Sequence, residues 1–153
     1  MLPKGRRLSK PTPAASELNC GLYVLIMKMD ACVSARVGKL GRITFSPGYH
    51  AYCGSARRNL SHRLSRHMTR RKTLRWHIDY LTCRNDVSVV STRIFSHGEM
   101  TECRLNSLVQ ELPNAVPIAR FGCSDCHCTS HLTFLGDTLP DLHLEPNAPH
   151  EQP

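Results

Sequence analysis

The sequence is organised around residues 49–67, which read YHAYCGSARRNLSHRLSRH. Side chains in the first part of this stretch alternate with a period of two, which predicts a β-strand. A Gly-Ser pair then ends the strand, and Asn59 is a residue type that favours the start of a helix. Arg63 and His67 are spaced i and i+4 on that helix, so both project from one face. A strand tyrosine, a glycine turn and a helix that carries arginine and histidine predict a site that handles phosphate.

The composition favours an anionic partner. The 153 residues suit one domain, and their formal net charge of +8 points first to nucleic acid and second to an anionic membrane surface. No apolar run approaches the ~18 residues that a transmembrane helix needs, so no membrane partner is expected. The basic N-terminus lacks the apolar core of a secretory signal, which predicts a cytoplasmic protein. In that compartment the eight cysteines are expected to be thiols or metal ligands rather than disulfides.

The pattern along the chain predicts an α+β domain over residues 19–136, with a small antiparallel sheet, mixed at its edge, flanked by helices. Residues 1–18 are predicted to form a flexible basic arm because they contain prolines and basic side chains with little apolar content. Residues 137–153 are predicted to be a disordered tail, since they are acidic and rich in proline.

Within the domain, residues 22–27 form a short apolar run that is typical of a buried strand. Residues 30–38 are predicted to be a turn region, and residues 40–45 alternate as a second strand that leads into the strand at Tyr49. These segments predict a meander of three antiparallel strands. Further elements are expected as a helix at about 59–72, a helix that begins at Thr73, a strand at 87–95 and a helix at about 100–112.

Eight basic side chains lie in or around the first helix, with no acidic residue between them. Such a run is often only a solvated face, but unpaired like charges repel one another unless an anion neutralises them. We therefore expect a nucleic-acid-binding surface. Its predicted members are Arg57, Arg58, Arg66, Arg70, Lys72 and Arg75.

Glu102 precedes the apolar stripe of the last helix, on which Leu105, Leu108 and Val109 follow at helical spacing. A carboxylate beside an apolar face needs a partner, because its burial alone is very unfavourable. That partner is either an arginine or a hard cation such as Mg²⁺.

The segment from Cys123 to His131 contains a Cys-x2-Cys pair, and Cys126, Cys128 and His131 are of the types that bind zinc. Four ligands within so short a segment would make a very compact tetrahedral site. The alternative is that these cysteines are small, partly buried thiols.

Several of these residues together resemble the GIY-YIG nuclease superfamily, and most closely its small, stand-alone Uri-type branch. Gly21-Leu22-Tyr23 and Tyr52-Cys53-Gly54 are similar to the two halves of the motif, with Leu22 and Cys53 in place of its isoleucines. Arg63, His67 and Glu102 match the family's helix arginine, the histidine four residues later and the glutamate of a later helix. The resemblance spans about residues 20–134. It departs from the pattern in a longer interval between the two tyrosines and in a cysteine, Cys123, where a small residue is expected.

The resemblance implies a metal-dependent endonuclease that hydrolyses phosphodiester bonds in DNA. Glu102 would hold Mg²⁺ or Mn²⁺, and Arg63 would grip the scissile phosphate. Tyr52 would be the general base, with Tyr23 orienting the water or the phosphate beside it. His67 would transfer a proton or contact the phosphate. His77 and Asp79 would support these groups without touching the substrate.

A second hypothesis belongs to a different class of protein. It is a non-catalytic nucleic-acid-binding module in which Cys126, Cys128 and His131 hold a structural Zn²⁺. A third keeps the enzyme but exchanges DNA for RNA, since nothing in the sequence separates the two. No small-molecule cofactor is expected. Branched and single-stranded DNA are among the expected substrates, and either a protein partner or the basic helix would supply targeting.

Overall fold

The computed structural model describes residues 19–123 and 126–144, so the predicted basic arm and residues 145–153 of the predicted tail lie outside the described residues. Within them the chain forms strands, helices and one short 3-10 turn, Gly38–Leu40. The strands are β1 (Gly21–Met29), β2 (Val33–Arg36), β3 (Arg42–Phe45), β4 (Gly48–Ala56), β5 (Val87–Phe95), β6 (Val116–Pro117) and β7 (Leu132–Gly136). The helices are α1 (Leu60–Met68), α2 (Asp79–Thr82) and α3 (Glu102–Gln110).

The main sheet has five antiparallel strands in the order β5-β1-β4-β7-β6. Its strand β1 is buried on both faces, which is why residues 22–27 form a continuous apolar run instead of alternating. One face, with Leu25 and Met27, packs against α1, α2 and the segment around β2 and β3. The opposite face, with Val24 and Ile26, packs against α3. The expected α+β class with an antiparallel sheet is confirmed.

The predicted three-stranded meander is wrong. Strand β1 pairs directly with β4 along its whole length, from Gly21 opposite Ala56 to Met29 opposite Gly48. The predicted strand at 40–45 is β3, and it pairs with β2 in a separate two-stranded sheet. Strand β2 falls inside the predicted turn region, where Val33, Ala35 and Val37 are buried at alternate positions. The two-stranded sheet therefore covers the core beside the main sheet instead of lying between β1 and β4.

Both predicted helices around the basic run are shorter than expected. Helix α1 ends at Met68, and Asn59 begins it with a left-handed backbone and no capping bond from its own side chain. Asn19 supplies the cap instead, because its backbone oxygen and Oδ1 accept from the N–H groups of Leu60 and Ser61. The helix predicted from Thr73 is reduced to the four residues of α2.

The carboxylate of Asp79 explains why the chain before α2 is not helical. Its Oδ2 accepts hydrogen bonds from the backbone N–H groups of Arg75, at 2.8 Å, and Trp76, at 3.0 Å. These bonds hold residues 75–78 in a turn that leads into the helix. Leu74, which directly precedes this turn, is exposed.

The folded chain extends beyond the predicted boundary at residue 136. Leu142 and Leu144 are buried in the core cluster on the α3 face, and Arg93 donates a hydrogen bond to the carbonyl oxygen of Leu142. These two leucines attach the segment to the core, while Asp141 and His143 beside them remain exposed. Among the described residues, none of the helices has the length and apolarity needed to cross a membrane.

Candidate active site

An open pocket of about 340 Å³ lies where β1 begins and β4 ends. Four of the predicted catalytic side chains line it, although they come from β1, β4, α1 and α3. These are Tyr23, Tyr52, Arg63 and Glu102. The fifth, His67, lies behind Tyr23 and is buried. The structure thus brings together all five residues that the sequence singled out for catalysis.

The sheet register places Tyr23 beside the glycine of the second motif half. Tyr23 is directly opposite Gly54, and a Cβ atom at Gly54 would lie 2.5 Å from both Cζ and the hydroxyl oxygen of Tyr23. Only glycine leaves room for the phenol ring at this point. The glycine is therefore required by the close approach of Tyr23, which fixes the ring over the strand end.

Tyr23 and His67 form a buried hydrogen bond of 2.7 Å between the hydroxyl oxygen and Nε2. Burial raises the pKa of Tyr23 well above its usual range, and the Arg63 guanidinium opposes this shift only in part. Burial, assisted by the positive charge of Lys72, lowers the pKa of His67 to about 4. Both side chains are consequently neutral near pH 7, and the imidazole can accept the proton of the phenol.

Tyr52 shares the pocket wall with Tyr23, and the ring centroids are 6.5 Å apart. Burial and the neighbouring Tyr23 raise the pKa of Tyr52 far above its ordinary value. The backbone of Gly122, which has a φ of 71°, packs on this ring, since a Cβ there would lie 3.1 Å from Tyr52 Cε2. Tyr52 is thus a neutral phenol held between β4 and the segment before β7.

Arg63 is anchored at the pocket by two contacts. One guanidinium N–H donates to the carbonyl oxygen of Ser55 at 2.5 Å, and the guanidinium carbon lies 4.8 Å from the ring centroid of Trp76. Trp76 is partly exposed and lines the pocket. The indole therefore contributes to the site by holding the arginine.

Glu102 stands in the first turn of α3, which Thr101 caps by accepting the N–H of Arg104. Among the described residues its carboxylate forms no ion pair with an arginine, which was one of the two partners expected from the sequence. Oε2 accepts from the Ser55 hydroxyl at 2.5 Å, and Oε1 lies 2.9 Å from Nδ1 of His131. Burial alone would raise the pKa of Glu102, but these two bonds outweigh it and the pKa is lowered. The side chain is thus an anion at neutral pH.

The surroundings of Glu102 fit a hard divalent cation. Its side chain remains 30 % exposed to the pocket. Each carboxylate oxygen has one donor among the described residues, and a carboxylate oxygen can interact with a second partner. A site with one carboxylate and several waters is the kind that Mg²⁺ accepts.

His77 and Asp79 have contacts that support the neighbouring segments. Nδ1 of His77 accepts from the backbone N–H of Gly122 at 2.9 Å, which ties the wall behind Tyr52 to the segment before α2. Asp79 is fully buried, and its carboxylate binds Arg66 at 2.7 Å and lies 3.8 Å from Nζ of Lys72. Burial opposes ionisation, but the bonds from Trp76, Arg75 and Arg66 hold the pKa of Asp79 below its usual range.

These contacts divide the predicted nucleic-acid-binding residues into two groups. Arg57, Arg58, Arg70 and Arg75 are exposed, and Arg75 lines the pocket. Arg66 is bound to Asp79, and the Lys72 side chain is only 3 % exposed because it donates to the Arg66 carbonyl and the Thr82 hydroxyl. Lys72 was predicted to belong to the nucleic-acid-binding surface, but its side chain is buried and its ammonium group lies beside the carboxylate of Asp79.

A cluster of three thiols and one imidazole lies next to Glu102. The ligand atoms of Cys103, Cys126, Cys128 and His131 are all within 4.8 Å of one another, an arrangement compatible with a structural metal. Cys123, the first member of the Cys-x2-Cys pair, is outside the cluster, and its thiol faces the carbonyl oxygen of Thr129. The fourth member, Cys103, was not recognised from the sequence because it comes from α3; the available signal was its position next to Glu102.

A scan against protein families matches residues 22–146 to the family described as Domain of unknown function DUF123. The match covers most of the chain, so the protein belongs to the DUF123 family. Searches of curated proteins and of solved structures gave no match. The matched range reaches past residue 136, in agreement with the buried leucines at 142 and 144.

Proposed function

We propose that this chain is a GIY-YIG-type endonuclease that uses a divalent metal to hydrolyse phosphodiester bonds in DNA. One observation carries the proposal: Tyr23, Tyr52, Arg63 and Glu102, which come from four separate elements, line the same pocket. These are the residues that the resemblance to GIY-YIG nucleases singles out. The exposed arginines nearby, including Arg75 at the pocket itself, suit a polyanionic substrate.

Arg63 would bind the scissile phosphate. Its contact with the Ser55 carbonyl uses one of its five N–H donors, so the others can bind phosphate oxygens and stabilise the charge that develops on them. The Trp76 ring and the Ser55 carbonyl fix the guanidinium in advance, which reduces the entropy lost on binding.

Glu102 would hold Mg²⁺ or Mn²⁺, since its carboxylate is ionised, accessible from the pocket and oriented by Ser55 and His131. The bound ion would neutralise charge on the phosphate and on the leaving oxygen. Zn²⁺ at the thiol cluster would be separate from this cation.

Hydrolysis requires a base, because the water that adds to phosphorus must lose a proton while a P–O ester bond breaks and the leaving oxygen gains one. The geometry favours Tyr23 over Tyr52, the residue that the sequence favoured. The imidazole of His67 lies 2.7 Å from the Tyr23 hydroxyl oxygen. The negative charge of a bound phosphate would favour the protonated imidazole, so Tyr23 would pass its own proton to His67 as it takes one from water. His67 would then act on the proton of Tyr23 and not on the phosphate.

The experiment that tests the proposal measures cleavage of single-stranded, duplex and branched DNA with Mg²⁺, Mn²⁺ or EDTA. Glu102→Gln is compared with Glu111→Gln, which changes an exposed carboxylate directly after the same helix. We expect metal-dependent cleavage that falls on the order of 10²-fold or more in Glu102→Gln and is unchanged in Glu111→Gln. Equal cleavage by the two variants would overturn the proposal. RNA of the same sequence in the same assay identifies which sugar the enzyme accepts.

A second candidate function is a nucleic-acid-binding module without catalysis. The observation in its favour is the thiol cluster, because a metal bound there would link α3 to the segment before β7. A binding assay on the same DNA substrates separates the two functions, since a module would bind in a salt-sensitive way and leave every substrate intact. In both cases a cytoplasmic location is proposed, and a protein partner could contribute to targeting.

A further inference from the structure

We propose that Cys103, Cys126, Cys128 and His131 form a tetrahedral Zn²⁺ site, and that His131 uses this site to orient Glu102. The four ligand atoms already lie within 4.8 Å of one another. The metal site does not depend on the proposed nuclease function. The importance of an oriented Glu102 carboxylate for catalysis does rest on that function.

The chemistry of the donor set favours zinc. Three thiolates and one imidazole nitrogen are a common ligand set of structural zinc sites, which are closed and four-coordinate. Thiolate donors also disfavour Mg²⁺ and Ca²⁺, which prefer oxygen. This cluster and the carboxylate of Glu102 would therefore select different metals, although they are neighbours along α3.

The site would join α3 to the segment before β7. Cys103 is in the first turn of α3, and the other three ligands lie in the segment between β6 and β7, which has little regular structure. Hydrogen bonds from the Asn106 and Gln110 side chains to the carbonyl of Ser130 already hold the same two parts together. A metal would complete this connection at the end nearest the pocket.

The two ring nitrogens of His131 face different partners. Nε2 lies 3.1 Å from the Cys126 thiol, while Nδ1 lies 2.9 Å from Glu102 Oε1 and 3.2 Å from the carbonyl oxygen of Cys53. A metal bound to Nε2 places the ring proton on Nδ1, where it is donated to the carboxylate. Histidine ligands of zinc commonly donate their second nitrogen to a carboxylate, which fixes the orientation of both groups. His131 is thus a positioning residue for Glu102.

The metal content of the purified chain tests the site directly. After treatment with a thiol reductant and Zn²⁺, followed by dialysis, we expect one zinc ion per chain. Cys103→Ser should lose most of it, whereas Cys123→Ser should retain it because that thiol lies outside the cluster. Loss of zinc from Cys123→Ser but not from Cys103→Ser would overturn the assignment.

A measurement on the parent chain covers the case in which a variant fails to fold. Co²⁺ in place of zinc should give intense visible bands typical of tetrahedral coordination and a thiolate-to-cobalt charge-transfer band. Weak octahedral bands, or no stoichiometric binding of Zn²⁺ or Co²⁺ by the reduced protein, would overturn the site.

The role of His131 has its own readout in the ring ¹⁵N chemical shifts of the zinc-loaded protein. We expect Nε2 to be the metal ligand and Nδ1 to carry the proton, and Glu102→Gln should shift the Nδ1 resonance while zinc is retained. Coordination through Nδ1, or no response to Glu102→Gln, would overturn the link to the carboxylate. Neither measurement involves DNA, so its outcome is separable from a failure of the proposed nuclease function.

Discussion

The hydroxyl of Tyr23 lies 2.7 Å from Nε2 of His67, in a contact that joins the start of β1 to the last turn of α1. The sheet brings Tyr23 to the pocket, and the helix brings a neutral imidazole behind it. A phenol alone is a poor base near neutral pH because its proton is held too tightly. In the proposed mechanism His67 would take the phenol proton while Tyr23 takes one from water.

Replacing Tyr23 by phenylalanine should lower kcat by about 10²- to 10⁴-fold, the range expected for the loss of a general base. Tyr52→Phe should have a smaller effect, because Tyr52 lacks a comparable imidazole partner among the hydrogen bonds of the described residues. Single-turnover cleavage of the preferred DNA substrate measures both. Tyr80→Phe, a change outside the pocket lining, serves as the control. A larger loss in Tyr52→Phe than in Tyr23→Phe would return the role of base to Tyr52.

Gly54→Ala should destabilise the fold, because the added methyl group would meet the Tyr23 ring at 2.5 Å. We expect a loss of about 1–3 kcal/mol in the free energy of unfolding, as for other insertions into packed sites. Gly98→Ala is the matched control, since its nearest neighbour within 4 Å would be the Ser96 hydroxyl at 3.6 Å.

A double-mutant cycle identifies the cause of that loss. If the clash with Tyr23 is responsible, Tyr23→Ala should remove most of the penalty of Gly54→Ala. Additive effects in urea unfolding would show that the glycine is needed for another reason.

Asp79→Asn should be among the most destabilising polar substitutions in the chain. It would leave Arg66 and the buried Lys72 without their anion, and loss of one partner of a buried ion pair costs about 3–5 kcal/mol. Asp86→Asn removes a carboxylate that binds Arg84 at the surface, where pairs contribute about 0.2–1 kcal/mol. Urea unfolding of the two variants measures the difference, and a similar small loss in both would contradict the structural role given to Asp79.

Local patterns in the sequence were sufficient for the parts of the fold that depend on local burial. The apolar run at 22–27, the β-branched segment at 87–95 and the stripe on α3 each form the expected element. The pairing of β1 with β4 was not available from such patterns, because strand pairing is set by long-range contacts. The same limitation applies to α2, where the Asp79 carboxylate captures two backbone N–H groups and overrides the helical spacing of Leu74 and Ile78.

The residues of the site also divide into those that the sequence indicated and those that only the folded chain reveals. Tyr23, Tyr52, Arg63 and Glu102 could be named because a family resemblance links their types and order, and the pocket now contains all four. Ser55 and Cys103 stand beside Gly54 and Glu102 in the sequence, but that position alone does not indicate which groups their side chains contact. Their importance follows from distances to Glu102 and to the thiols of the segment before β7, which only the folded chain defines.

Acid should destabilise the protein through His67. Its pKa is about 4 in the folded chain, mainly because of burial, and near 6.5 when the chain unfolds. Between these values the unfolded state binds more protons than the folded state, so stability is fully present above pH 6.5 and falls as the pH is lowered toward 4. The contribution of this one residue over the whole window is on the order of 3 kcal/mol.

The comparison of the parent with His67→Gln at pH 7.5 and pH 4.5 isolates that contribution, because His50, which is also buried with a pKa of about 4, is common to both proteins. We expect the free energy of unfolding to fall more steeply with acid in the parent than in His67→Gln. His62→Gln, an exposed position on the same helix, should keep the slope of the parent. If the His67 variant keeps that slope as well, burial does not lower the pKa of His67 in the folded chain, and His67 is not the source of the acid sensitivity.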